Sequence, residues 1–214
     1  TVRTGVGVAR VAAGGGAVKV SLQDGTTITG TKLFVAAGRR PNLTGIGLDS
    51  VGLGDDLRAL DVDEHMQVLR DGEPVSGLFA VGDITGRGAF THVAVWQARV
   101  LTAHLAGEQR PFGGYHGLAW VTFTDPEVGR VGLTEQQARK DGGDVRIAGA
   151  PVPSNSRGWI HGPGNDGFVK LVADGDVLVG ATVLAPNGGE ILGLLTLAVH
   201  ARVPIATLRT MHYA

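Results

Sequence analysis

The run Leu78-Phe79-Ala80-Val81-Gly82-Asp83 ends an apolar stretch on a carboxylate, and Thr91 and His92 then open an amphipathic segment. Residues of these types in this order suit recognition of a polyhydroxylated, electron-rich ligand. Asp83, at the end of a strand, can accept hydrogen bonds from sugar-type hydroxyls, and Gly82 beside it joins the candidate contacts. The N–H groups of Thr91, His92 and Val93, at a helix N-terminus, favour an electron-rich ring or an anion. Gly38, ahead of Arg39-Arg40-Pro41, permits close approach of the backbone to a ligand. Each residue also has a plainer reading. Asp83 suits a turn after a strand, Thr91 suits an N-cap, and Gly38 suits a turn that needs unusual dihedrals. His92 reads as a solvent-facing or interface histidine, with any ligand contact made through its backbone. Arg39 and Arg40 could reach phosphates, and their plainer reading is that of surface arginines with no phosphate to bind.

Other groups that might suggest chemistry are declined. Gly162-Pro163-Gly164-Asn165-Asp166-Gly167 spells GxGxxG, but a strand follows and Pro163 sits inside it, so no phosphate cradle is expected. The seven histidines show no HxxxH or HxH spacing, so no metal site is assigned. Ser154 and Ser156 lie outside any nucleophile-elbow pattern. With no cysteine in the sequence, disulfides and thiolate metal sites are excluded within this chain. No catalytic residue is assigned.

Composition narrows the partners. Nineteen basic side chains against twenty acidic ones, with no basic cluster, argue against a nucleic-acid surface and leave small molecules as ligands. No apolar run reaches the length of a membrane span, so no membrane partner is expected. Thr1 is followed by no signal-peptide pattern, and the cytoplasm is the expected compartment.

The elements that must position these residues follow from periodicity and turn signals. Residues 5–12, 17–22 and 26–30 read as an antiparallel meander turning at Gly14-Gly15-Gly16 and at Asp24-Gly25. A buried strand is expected at 32–36. Residues 43–76 read as irregular, with one short strand at 60–62. The apolar run at 78–81 reads as a strand of a parallel sheet, buried on both faces, followed by a glycine-rich loop at 84–90. From Thr91 to about Leu105 a helix carries Val93, Trp96, Val100 and Ala103 on one face, stopped by Gly107. Residues 111–117 read as a linker. Strands are then expected at 119–123 and 128–133, and a helix capped by Thr134 with Gln137. A hairpin at 168–172 and 177–185 follows, and a helix at 189–202 with Ile191, Leu192, Leu195 and Val199 on its packed stripe. Glu190 complements the macrodipole of that helix, and His200 packs in the core or at a subunit contact. Pro204 starts a further helical turn.

Three motifs in this order carry a family resemblance: Leu33-Phe34-Val35-Ala36-Ala37-Gly38-Arg39-Arg40-Pro41-Asn42, the run from Gly77 to Asp83, and Val121-Thr122-Phe123-Thr124-Asp125-Pro126-Glu127-Val128-Gly129-Arg130-Val131-Gly132-Leu133-Thr134-Glu135. The chain resembles the FAD-dependent pyridine nucleotide-disulfide oxidoreductases, which include dihydrolipoamide dehydrogenase, glutathione reductase and mercuric reductase. The resemblance covers essentially the whole chain and implies the C-terminal portion of such an enzyme. The implied fold is α/β and α+β: part of two Rossmann-like dinucleotide-binding domains, then an α+β dimerisation domain. Residues 1–37 would end the NAD(P)-binding domain, 38–112 would be the returning segment of the FAD-binding domain, and 113–214 the dimerisation domain.

The implied cofactors are FAD and NAD or NADP, with Gly38, Gly82, Asp83, Thr91 and His92 as contacts. The redox cysteine pair of the family lies upstream of anything here. Its catalytic histidine, which precedes Pro-Thr, would fall beyond Met211-His212-Tyr213-Ala214, and His212 does not match it. The implied function is hydride transfer from NAD(P)H through FAD to a disulfide, metal ion or quinone-like acceptor, in a homodimer, with the isolated segment inactive. A second reading is a non-catalytic dimerisation or scaffold module that retains the architecture.

Overall fold

Turn glycines punctuate the first forty residues and shape them into a meander. The computed structural model describes residues 1–54, 56–108, 112–140 and 142–213, divided into two units, Thr1–Arg40 and Pro41–Ala214. Pro111, which opens the expected linker, and the terminal Ala214 lie outside the described residues.

In the first unit β1 (Val8–Gly14), β2 (Ala17–Leu22) and β3 (Thr27–Gly30) form an antiparallel sheet with β2 at its centre. Gly15 and Gly16, both at positive φ, make the first turn. At the second, Asp24 Oδ1 accepts from the Thr26 N–H at 2.8 Å. Hydrogen bonding from Thr26, with Arg3 nearby, holds the Asp24 carboxyl below the usual carboxylate range. The strand expected at 32–36 does not form. That segment pairs with no strand, and Phe34 is 91% exposed. The three meander strands pair with one another, and an apolar segment without a ladder partner has no means of burying its backbone.

The second unit holds two apolar cores. The first gathers Leu43, Leu48, Leu60, Met66, Val68 and Ala80, with Val100 and Leu101 packed against them. Here β4 (Gln67–Arg70) and β5 (Glu73–Phe79) form a two-stranded antiparallel hairpin. Its turn is Asp71-Gly72, both at positive φ, a pair that favours such hairpins. Two expectations are corrected. Residues 43–76 are not irregular throughout, and the run before Asp83 is neither parallel nor buried on both faces. With β4 as its one partner, β5 leaves Leu78 and Phe79 half-buried. A 3-10 turn, Gly82–Thr85, replaces the first part of the expected loop, and α1 (Thr91–Leu105) follows. The helix ends as expected: the Gly107 N–H donates to His104 O at 3.0 Å, with Gly107 at φ 73°.

The second core sits between a five-stranded antiparallel sheet and a helix. The strands are β6 (Ala119–Thr122), β7 (Glu127–Gly132), β8 (Val145–Pro151), β9 (Phe168–Asp174) and β10 (Val177–Ala185), in the order β6-β7-β10-β9-β8. On β7 and β10 lies α4 (Gly188–His200), whose Leu192, Ala198 and Val199 meet Val131, Ala181 and Val183. Ile191, expected on that stripe, is instead 39% exposed, because Leu192 occupies the sheet side one residue further round. The capping box forms: Thr134 Oγ1 accepts from the Gln137 N–H at 3.2 Å, and Gln137 Oε1 accepts from the Thr134 N–H at 2.9 Å. It opens α2 (Glu135–Lys140). Sequence reasoning did not anticipate β8 or α3 (Ser156–His161). The last helix, α5 (Ile205–Thr210), starts after Pro204. Among the described residues no helix is long and apolar enough to cross a membrane.

Candidate functional site

Beyond Phe79 the chain leaves its ladder, and the Ala80 N–H makes a last bond to Met66 O at 3.0 Å. Gly82 then turns at φ 80°, a conformation that glycine adopts without strain. Asp83 is exposed in the first turn of the 3-10 segment. The turn packs on α1, and a Cβ at Gly82 would lie 3.5 Å from the Ala94 Cβ.

Thr91 is the first helical residue of α1, and the N-cap is Phe90, in extended conformation, with no side-chain cap. The first turn holds no acidic side chain. The Val93 N–H donates to Phe90 O at 3.1 Å, so it is not offered outward, contrary to the sequence expectation. The N–H groups of Thr91 and His92 precede this first bond.

The His92 side chain is exposed, yet its Nε2 lies 2.8 Å from Ala119 O. A carbonyl only accepts, so Nε2 carries the proton in this bond. His92 thereby ties the start of α1 to β6, and its ring stacks on Phe90 at 5.4 Å. Thr91 and His92 line a groove of about 580 Å³ with Trp120, Phe123, Gly193 and Thr196.

Beneath the turn lies a network that sequence reasoning missed. Gln97 Oε1 accepts from the Gly82 N–H at 2.6 Å. Gln97 Nε2 donates to Thr85 Oγ1 at 3.0 Å and to Tyr115 Oη at 2.8 Å. The Thr85 hydroxyl donates to Gly82 O at 2.8 Å. Gln97 is fully buried and Thr85 is 2% exposed. The available signal was a polar residue one turn after Val93, inside the apolar face of α1. Tyr115 is itself held among Trp96 and Phe112, edge-on to both, with the Arg87 guanidinium over its ring.

The structure thus brings Gly82, Asp83, Thr91 and His92 to one turn and the helix start beside it. Gly38 belongs to the other unit, where it is exposed at φ 93°. His200, expected in the core or at a subunit contact, is exposed. It stacks on His116 with ring centroids 5.3 Å apart and lines a cavity of about 240 Å³ with His92, Trp96 and Tyr115. Among the described residues no cluster of three His, Asp or Glu could hold a metal ion.

Mixed α/β architecture with a helix-backed antiparallel sheet defines the class. Residues 1–98 match the family described as pyridine nucleotide-disulphide oxidoreductase, and residues 118–214 match its dimerisation domain. The chain belongs to the pyridine nucleotide-disulphide oxidoreductase family, whose members in general depend on FAD and NAD(P). The dihydrolipoyl dehydrogenase of Mycobacterium leprae is 41% identical over 172 residues, covering 78% of this chain and 35% of that protein. The Mycobacterium tuberculosis enzyme of the same name is 37% identical over 206 residues, covering 92% and 43%. The crystal structure of LpdA from Mycobacterium tuberculosis matches 98% of this chain and 45% of that one, with a TM-score of 0.82 at 28% identity. The HOCl-induced flavoprotein disulfide reductase RclA from Escherichia coli matches in fold, with a TM-score of 0.79 at 24% identity over 97% of this chain and 47% of that one. The chain therefore spans less than half the length of the relatives it matches.

Proposed function

We propose that this chain is the C-terminal part of a flavoprotein oxidoreductase that moves a hydride from NADH or NADPH through FAD to a disulfide, metal ion or quinone-like acceptor. The observation that carries the reading is the Gly82–Asp83 turn packed on the start of α1, in a chain whose family uses these cofactors. The donor set fits FAD: an exposed carboxylate for polyol hydroxyls, and helix-start N–H groups with no competing acid in the first turn. Bound FAD would supply the redox chemistry. Asp83 would hold its sugar-like arm through hydroxyl hydrogen bonds. Thr91 and His92 would present backbone dipoles to the electron-rich edge of the ring. Gly38 would let the backbone approach the nicotinamide nucleotide. No residue here is given an acid–base role, and the chain alone is expected not to turn over.

The same reading includes a homodimer formed through residues 113–214. The match of 118–214 to a dimerisation domain and the exposed apolar flank of α4 support it. It also places the protein in the cytoplasm, with NAD(P)H and a small substrate as partners.

The test is the visible spectrum of the complete polypeptide. Flavin absorption that bleaches on adding NADH or NADPH is expected. Replacing Asp83→Ala should weaken FAD retention by about tenfold, the range for hydrogen bonds to a charged group. A colourless complete protein that takes up no added FAD would overturn the reading.

A further inference from the structure

We propose that Gln97 is the positioning residue of the cofactor turn, fixing Gly82 and thereby the direction in which Asp83 meets FAD. The inference rests on the flavin reading above and adds to it a residue that touches no cofactor atom.

Within the turn the Gly86 N–H donates to Asp83 O at 3.2 Å, and the Leu60 N–H donates to Ile84 O at 2.8 Å. The ladder leading into it ends at Ala80, and both backbone polar groups of Gly82 are held by side chains, the N–H by Gln97 and the carbonyl by Thr85. Those two side chains bond to each other, closing a ring through Gly82. The second amide hydrogen of Gln97 is taken by Tyr115, so both hydrogens of the buried amide are engaged. In a dry site such a network is strongly all-or-none, because breaking one bond strands a second polar group. An apolar side chain at this core position of α1 would avoid the desolvation of an amide. The position instead carries an amide directed at the turn that bears Asp83. Tyr115 extends the same network into the segment that leads to β6, which joins the turn to the start of the five-stranded sheet.

The experiment uses the complete polypeptide and compares Gln97→Met, Gln97→Glu and Thr85→Val by FAD titration and by circular dichroism of the flavin bands. Gln97→Met should raise the FAD dissociation constant by about tenfold or more and alter the flavin dichroism. Gln97→Glu, held neutral by burial, keeps an acceptor for the Gly82 N–H and a hydroxyl that donates to Thr85 Oγ1, while the Tyr115 hydroxyl turns to donate to it and Thr85 stays on Gly82 O. It should restore both readouts to near the wild-type values. Thr85→Val, close in shape, should weaken FAD by about fivefold and carries the test if Gln97→Met does not fold. Wild-type affinity in Gln97→Met or in Thr85→Val would overturn the positioning role while leaving the flavin reading intact, and so would equal loss in Gln97→Met and Gln97→Glu. A wild-type protein that binds no FAD would instead defeat the flavin reading itself.

Discussion

Glu127 Oε2 accepts a hydrogen bond from the Gly189 N–H at 2.9 Å, so the carboxylate that opens β7 caps the helix α4. The residue at the helix N-cap, Asn187, sits in the left-handed region and makes no side-chain cap. Glu127 therefore takes over that role across the sheet, where its charge also complements the helix dipole. Glu127→Ala should lower stability by about 1 kcal/mol, as loss of an N-cap does. Glu127→Gln, which keeps an acceptor, should lose less. Thermal unfolding followed by circular dichroism checks the order, and an unchanged Tm for the alanine variant would refute the cap.

Gly180 lies where β10 passes the backbone of Leu133. A Cβ there would meet the Leu133 carbonyl carbon and amide nitrogen, both at 2.9 Å, and backbone cannot rotate aside as a side chain can. Gly180→Ala should therefore destabilise by about 3 kcal/mol, the upper part of the overpacking range. Gly193 gives the contrast. It lies within α4, and a Cβ there would have nothing within 4 Å. Gly193→Ala should raise stability by about 0.5–1 kcal/mol through the helix preference of alanine. Chemical denaturation of the two variants should move the midpoints in opposite directions, and a shift of both in one direction would contradict the packing argument.

Legibility in the sequence followed the locality of the signal. Helix α1 was readable to its ends because its apolar spacing and Gly107 are local. The Thr134–Gln137 box and the hairpin around Asp174-Gly175 were readable for the same reason. Val145–Pro151 was not, because the small residues Ala148, Gly149 and Ala150 end the alternation that Val145-Arg146-Ile147 begins, and its place at the sheet edge comes from pairing with β9. The run before Asp83 reads as doubly buried, since Leu78-Phe79-Ala80-Val81 is uniformly apolar. Burial of a strand depends on neighbours, however, and here one antiparallel partner is present. At the site, Asp83, Thr91 and His92 stood out by type and position. Gln97 did not, because a glutamine inside an apolar stripe gains meaning only once Gly82 and Tyr115 are seen to converge on it.

Glu135 should make stability depend on acid pH. The hydrogen bond from Lys170 at 2.6 Å, and next that from Arg139 at 2.9 Å, hold its carboxyl below the usual glutamate range. A carboxyl with a depressed folded-state pKa contributes stability that is fully present above the unfolded value of about 4.3 and is lost as pH falls through the folded value. Lys170→Met removes the largest cause, so the fall in Tm between neutral and strongly acidic pH should become shallower. At neutral pH, high salt should narrow the gap between wild type and variant without closing it, because a half-buried pair is screened only in part. An acid slope unchanged by Lys170→Met would show that this pair does not set it.

The outer flank of α4 bears on assembly. Leu192, Ala198 and Val199 face the sheet, whereas Leu194 is 39% and Leu197 is 61% exposed. Together with Ile191, also 39% exposed, they leave an apolar flank of a kind that marks interaction surfaces more often than free ones. If residues 113–214 mediate a homodimer, a charge on this flank should split it without unfolding the helix, since the sheet-facing side chains are untouched. Leu197→Asp in the complete polypeptide should shift the sedimentation coefficient from dimer to monomer at micromolar protein, with far-ultraviolet circular dichroism unchanged. Thr102→Asp, on the exposed surface of α1, is the control for added charge and should leave the mass unaltered. A Leu197→Asp protein that remains fully dimeric would assign the contact to a different face of the sheet or its helices.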